Sequence, residues 1–196
     1  MIGRHIYMKL SLIPLLIGLA SNAIAETPKA QLQETMERVL ALTQTFHSEK
    51  DFIDNKARLK EIILPRFDFA EMAHRSLGNR WSTLAEKEGE FVAAFIQFAE
   101  GSYLNTVGSY RGEKIIYNRE RIDANFAEVD TQVLGHGEPA PITYKLHLIG
   151  DEWKVYDVVI DQISLVSNFR SQFGRILQTA SMDDLMRRLR EKGTER

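Results

Sequence analysis

Few residues in this chain could do chemistry, and they are scattered. The histidines are His5, His47, His74, His136 and His147. No two stand at a spacing such as His-x-x-x-His, which would turn two imidazoles to one helix face for a metal. Cysteine is absent, which removes disulfides, thiolate nucleophiles and Cys-ligated metals in one step. Ser102 follows Gly101 inside a helical pattern, not in the strained Gly-x-Ser-x-Gly elbow that exposes a nucleophile. Neither a P-loop nor Gly-x-Gly-x-x-Gly occurs. Asp157 interrupts the largely apolar run from Trp153 to Ile160, and Asp161 follows it. A carboxylate among apolar neighbours can have a raised pKa and act as a base. It would need a second group, Tyr144 or His147, brought beside it by the sheet. The plainer role for Asp157 is a strand-end carboxylate that bonds backbone or pairs with an arginine. No catalytic residue, metal ligand or cofactor is assigned, and the chain reads as a non-enzyme.

The elements that must position these residues follow from periodicity. Leu32, Met36, Val39, Leu40, Thr43 and Phe46 recur at helical spacing and predict a helix over 29–48. Phe52, Ala57, Leu59, Ile62 and Ile63 predict a second helix, stopped by Pro65. Asp68 is placed to cap a third, Phe69 to Leu77, with Gly78 at its stop. Thr83 and Glu86 form a capping-box pattern for a long fourth helix reaching about Val107, with Phe91, Phe95 and Phe98 on its apolar face. The period then shortens to 2, predicting strands over 113–118, 126–134, 142–149 and 152–160. Gly150-Asp151 marks a two-residue hairpin. Helices resume from Leu165 to Gln178 and, capped by Ser181, to about Arg190. Helices and strands segregate along the chain, so the fold class is α+β, with a four-stranded antiparallel sheet and helices before and after it.

The N-terminus predicts export. Arg4 and Lys9 precede an apolar stretch from Leu10 to Ala20, and Ala23-Ile24-Ala25 is a small-x-small cleavage pattern. Together these describe a secretory signal peptide over residues 1–25, cleaved after Ala25. The stretch is shorter than the roughly 20 residues that span a bilayer as a helix. Residues 26–196 then form a single domain, large enough for one core. Losing Arg4 and Lys9 makes the remainder two units more negative than the −2 of the full chain. A mildly acidic chain without a basic run argues against nucleic acid as partner. The C-terminal third is locally basic, with Arg170, Arg175, Arg187, Arg188 and Arg190. That set is either ordinary helix-end charge or a docking patch for an acidic partner.

The abundant signal is apolar and aromatic. Phe67, Phe69, Met72, Leu77 and Trp81 cluster in the middle helices, and Tyr103, Tyr110 and Tyr117 lead toward the sheet. Composition alone does not distinguish such residues from an ordinary core. Their order does carry a resemblance. Phe67-Asp68-Phe69-Ala70-Glu71-Met72-Ala73, then Leu77-Gly78 and Trp81, is similar to a Phe-Asp-Phe helix motif of the MlaC family. Trp153 to Ile160, followed by Ile163-Ser164-Leu165-Val166 and Asn168-Phe169-Arg170-Ser171-Gln172-Phe173, resembles that family's Tyr-Asp strand, Val-Ser-Leu turn and Asn-Tyr-Arg-x-x-Phe helix. The similarity runs over residues 29–190. Gln162 stands where the family usually has Gly, and Phe169 where Tyr is common.

The resemblance implies a curved sheet and helices forming a nuclear-transport-factor-two-like cone around an apolar pocket. It implies a soluble periplasmic carrier that holds phospholipid acyl chains and shuttles lipid, as a monomer, to maintain outer-membrane lipid asymmetry. Its partners would be an outer-membrane lipoprotein–porin complex and an inner-membrane ABC transporter with an MCE-domain ring. The pocket wall implied is Phe67, Phe69, Met72, Leu77, Trp81, Phe95, Phe98, Tyr103, Tyr144, Leu146, Val155, Val158, Ile160, Ile163, Leu165, Val166, Phe169 and Phe173. Two alternatives stay open: an isomerase or cyclase on the same cone, and a chaperone covering an acylated protein.

Overall fold

A computed structural model describes residues 26–194, except 109–111 and His136, without the side chains of Tyr103 and residues 105–107. The expected signal peptide and Tyr110 lie outside the described residues. Helix α1 (Pro28–Thr43) starts where the Thr27 side chain accepts from the Ala30 N–H and Pro28 takes the first position. It is shorter than the predicted 29–48. The Thr43 and Thr45 hydroxyls donate back to the Leu40 and Leu42 carbonyls, and Ser48 with Asp51 builds a reciprocal capping box that opens α2 (Glu49–Ile63). A single 3-10 turn, Leu64–Arg66, leads to α3 (Phe69–Leu77). Asp68 caps α3 by accepting from the Glu71 N–H at 2.9 Å, and Gly78 ends it at φ +56°.

The capping box predicted at Thr83 and Glu86 does not form. The Thr83 hydroxyl donates instead to the Arg80 carbonyl at 2.7 Å, and Ala85 lies at φ +50°. Two 3-10 turns, Gly78–Thr83 and Ala85–Lys87, therefore precede α4 (Glu88–Gly108).

The sheet has five strands in the order β1-β2-β3-β4-β5: β1 (Lys114–Asp123), β2 (Phe126–Leu134), β3 (Ala140–Ile149), β4 (Glu152–Ile160) and β5 (Ile163–Ser164). All neighbours are antiparallel. Two expectations are corrected. β1 runs well past residue 118; it is an edge strand whose outer half is exposed, so charged side chains break the apolar alternation that would have marked it. The fifth strand was not predicted, because it is only a two-residue return. Asp161 and Gln162, at φ +47° and +66°, turn the chain so that Ile163 pairs with Ile160. Helices α5 (Leu165–Ile176) and α6 (Met182–Thr194) close the chain.

Three apolar clusters hold these elements. Phe91, Phe95, Phe98, Phe169 and Phe173 pack edge-on and stacked between α4 and α5, with Leu185, Met186 and Leu189 of α6 beneath. Glycines let α4 and α6 touch: a Cβ on Gly193 would fall 2.6 Å from the Gln97 carbonyl oxygen. Leu32 of α1 joins Ala127, Val129, Tyr144, Leu146, Trp153 and Val155 on one sheet face. Val39, Leu42, Phe46, Leu59 and Leu104 join α1, α2 and α4.

A polar seam fixes α1 on the sheet. The Gln31 side chain donates to the Asp151 carbonyl and accepts from the Trp153 N–H and from Arg66. Arg66 donates further to the Thr35 hydroxyl and the Trp153 carbonyl.

Gln162 occupies a left-handed position that costs an L-residue with a Cβ on the order of 1 kcal/mol relative to glycine. Gln162→Gly is expected to raise stability by about 0.5–1 kcal/mol, seen as a higher urea midpoint at unchanged m-value. An unchanged or lower midpoint would show that the turn is not strained.

Candidate functional site

An apolar cavity lies where the three clusters meet. It offers about 170 Å³ to the centres of water-sized molecules and about 1150 Å³ of space free of protein atoms, part of it open to solvent. Val133, Ile142, Tyr144, Val158 and Ile160 form its floor. Pairing explains the grouping: Ile142 sits opposite Ile160, and Tyr144 lies between Val129 and Val158, so alternate residues of β3 and β4 turn to the same face. Ile115 extends the floor on β1, while Met36, Val39 and Leu40 of α1, Ile63 and Leu64 at the end of α2, and Ala99, Glu100 and Leu104 of α4 make walls. Phe67, Phe69, Met72, Leu165 and Phe169 complete it.

The Phe67–Phe69 segment is placed by Asp68. Its backbone N–H donates to the Val155 carbonyl at 2.9 Å, and Phe67 forms an isolated parallel bridge with Val155. One carboxylate oxygen of Asp68 caps α3, and the other meets His147 Nε2 at 3.0 Å. Phe67 and Phe69, whose rings stack with centroids 5.6 Å apart, are thereby set against the cavity.

Of the expected wall residues, Phe67, Phe69, Met72, Tyr144, Val158, Ile160, Leu165 and Phe169 line the cavity. Leu77, Phe95, Phe98, Val166 and Phe173 do not; they are buried in the helical cluster, and Trp81 packs against it edge-on to Phe91. Leu146 and Val155 share a sheet face with Tyr144 but are covered by the α1 cluster. Ile163 is corrected most sharply. The β4–β5 turn swings it outward, leaving it 61% exposed. The side chain of Tyr103 is not among those described. Sequence reasoning missed Met36, Val39 and Leu40, which were visible on the apolar face of α1 but read as core, and Ile63, Leu64, Ala99, Glu100, Leu104, Ile115, Val133 and Ile142. For Glu100 no sequence signal existed.

The groups weighed for acid–base work are engaged in structure. Asp157 accepts from the Ser164 hydroxyl at 2.7 Å and the Val166 N–H at 3.1 Å, holding the start of α5. His147 is bound to Asp68, and its ring lies edge-on to Tyr156. Burial raises the Tyr156 phenol pKa above its ordinary value, partly opposed by the Arg75 cation over its ring. Three of the five C-terminal arginines have partners. Arg187 bonds Asp184 and Glu191, Arg190 lies 3.8 Å from Glu90, and Arg170 donates to the Arg75 carbonyl.

Fold and site together define a class: α+β proteins built around an apolar cavity between an antiparallel meander and its helices. The chain belongs to the MlaC family, whose model, described as MlaC protein, matches residues 33–191. It is 25% identical over 184 residues to the intermembrane phospholipid transport system binding protein MlaC of Haemophilus influenzae, covering 89% of this chain and 86% of that one. It is 27% identical over 193 residues to the toluene tolerance protein ttg2D of Pseudomonas putida, covering 92% and 84%. The solved phospholipid-binding protein of Ralstonia solanacearum, in complex with a phospholipid, has the same fold, with a TM-score of 0.76 at 22% identity over 87% of this chain and 98% of that one.

Two outcomes follow from this geometry. Asp68→Ala removes both a helix cap and the His147 contact, and is expected to cost about 1–3 kcal/mol in chemical denaturation. Asp68→Asn, which still caps, is expected to lose less. Equal losses would mean that the cap contributes little.

Tyr117 is two residues along β1 from Ile115. Burial, aided by the Glu37 charge, pushes its phenol up to about 12 from 10.0. The folded state thus favours the neutral form, so its contribution to stability is complete below pH 10 and declines between pH 10 and about 12. Urea midpoints at pH 9 and pH 11 are expected to drop further in the parent than in Tyr117→Phe. Identical drops would place the phenol in water.

Proposed function

We propose that this chain is a soluble periplasmic carrier, released from its signal peptide near Ala25 as the single domain 26–196, that holds phospholipid acyl chains in the cavity and shuttles lipid between membranes. The observation that carries the reading is an apolar cavity at the meeting point of three packed clusters in an MlaC-family chain. The names of its relatives, a phospholipid transport binding protein and a phospholipid-binding protein, point the same way. Among the described residues no helix is long and apolar enough to cross a membrane, as a carrier moving through water requires.

The physics of the task is transfer without reaction. Each methylene withdrawn from water is worth about 0.8 kcal/mol, so two acyl chains of about 16 carbons cost on the order of 25 kcal/mol to expose. A carrier removes that barrier by keeping the chains covered and releasing them only at a docking surface. The chain itself then needs no catalytic group, and energy enters through a partner. The partners proposed are an outer-membrane lipoprotein–porin complex and an inner-membrane MCE-domain ABC transporter, with the carrier acting as a monomer to maintain outer-membrane lipid asymmetry. Phe67, Phe69, Met72, Tyr144, Val158, Ile160, Leu165 and Phe169 are proposed to touch the acyl chains, joined by Met36, Val39, Leu40 and Ile142.

Native mass spectrometry of gently purified protein is expected to show adducts of phospholipid mass. Ile160→Glu, which sets a carboxylate against the chains at a steep desolvation cost, is expected to strip the adducts. Ile163→Glu, at an exposed position, is expected to keep them. A protein without lipid that takes none from vesicles would overturn the carrier reading, and a small polar metabolite in its place would favour an enzyme.

A further inference from the structure

Among the described residues, the wall of the cavity contains one charged side chain, Glu100 of α4. It is bound to Lys60 of α2, Nζ to Oε2 at 2.7 Å, with side-chain exposures of 16% for Glu100 and 35% for Lys60. Lys60 stands one helical turn before Ile63 and Leu64, both of which line the cavity. Glu100 stands one turn before Leu104, which also lines it. The pair therefore runs from the cavity wall, at Glu100, outward to the more exposed Lys60.

As a purely structural device this pair is a poor choice. Desolvating two charges beside an apolar space is costly, and well-packed apolar side chains commonly serve stability as well or better. A lipid whose chains fill the cavity must, however, leave its polar head where wall meets solvent. We propose that Lys60 and Glu100 read that headgroup and favour a zwitterion of the phosphoethanolamine type. The Lys60 ammonium takes the phosphate, and the Glu100 carboxylate accepts hydrogen bonds from the primary ammonium two methylenes away. A glycerol headgroup offers the same phosphate but brings net negative charge and only hydroxyls to Glu100. A choline headgroup carries the positive charge but has no N–H to donate. This inference rests on the carrier reading and adds a ligand preference to it.

The test is competitive loading. Delipidated protein is incubated with vesicles containing equal amounts of phosphatidylethanolamine, phosphatidylglycerol and phosphatidylcholine of matched chains, then separated from them. The bound lipid is extracted and its composition compared with that of the vesicles. Phosphatidylethanolamine is expected to be enriched about three- to fivefold over phosphatidylglycerol, the scale of a partly exposed charge interaction. In Glu100→Gln, which preserves shape, the bound lipid is expected to return toward the vesicle composition. Lys60→Gln, at the more exposed end, leaves Glu100 to repel anionic heads and is expected to retain the enrichment; circular dichroism confirms that both variants are folded. Bound lipid that mirrors the vesicles in the parent, or an enrichment untouched by Glu100→Gln, would overturn the headgroup inference while leaving the carrier reading intact. No uptake of any lipid by the parent would overturn the carrier reading and this inference with it.

Discussion

Asp68 ties the helical layer to the sheet through three bonds at one residue. Its N–H extends the edge of β4 at Val155, one carboxylate oxygen starts α3, and the other reaches His147 on β3. Each bond is modest alone, but their common origin leaves little freedom in the chain on either side. Phe67 and Phe69 flank it, and both line the cavity. Because α3 also carries Met72 to the wall and packs into the helical cluster, this carboxylate positions the segment that supplies Phe67, Phe69 and Met72.

The rest of the architecture holds the walls of the cavity in place. The five phenylalanines between α4 and α5 hold one side, with edge-to-face contacts such as Phe98 on Phe169 at 5.3 Å. The Gln31–Arg66 seam holds the other, pinning α1 to the β3–β4 hairpin and to the backbone of β4.

Much of this was legible in the chain. The helix Phe69–Leu77 with its Asp68 cap and Gly78 stop, the strands 126–134 and 152–160, and the capping role of Ser181 are all where local chemistry puts them, because caps and alternation act within a few residues of themselves. Local chemistry also misled. Thr83 has the capping-box pattern, yet its hydroxyl serves the preceding turn. Residues 44–48, which fit the α1 period, lose to the Ser48–Asp51 box. In both places a competing local hydrogen bond, not the pattern first read, sets the boundary.

Sequence alone determined the class of fold, the family motifs and the faces withdrawn from water. It could not determine what lies across each face. Apolar periodicity records only that a side chain leaves water, whether it meets another side chain or an open space. Tyr144 and Leu146 are two residues apart on one face of β3; the first lines the cavity and the second is packed beneath α1. Phe169 and Phe173 stack on one face of α5, and only Phe169 reaches the cavity. Ile163 reads as apolar wall, but two left-handed residues before it turn it to solvent. Glu100 reads as surface charge, yet the crossing of α2 over α4 sets it beside Lys60 at the cavity wall. Those outcomes belong to tertiary structure, because they depend on distances between elements far apart in the chain.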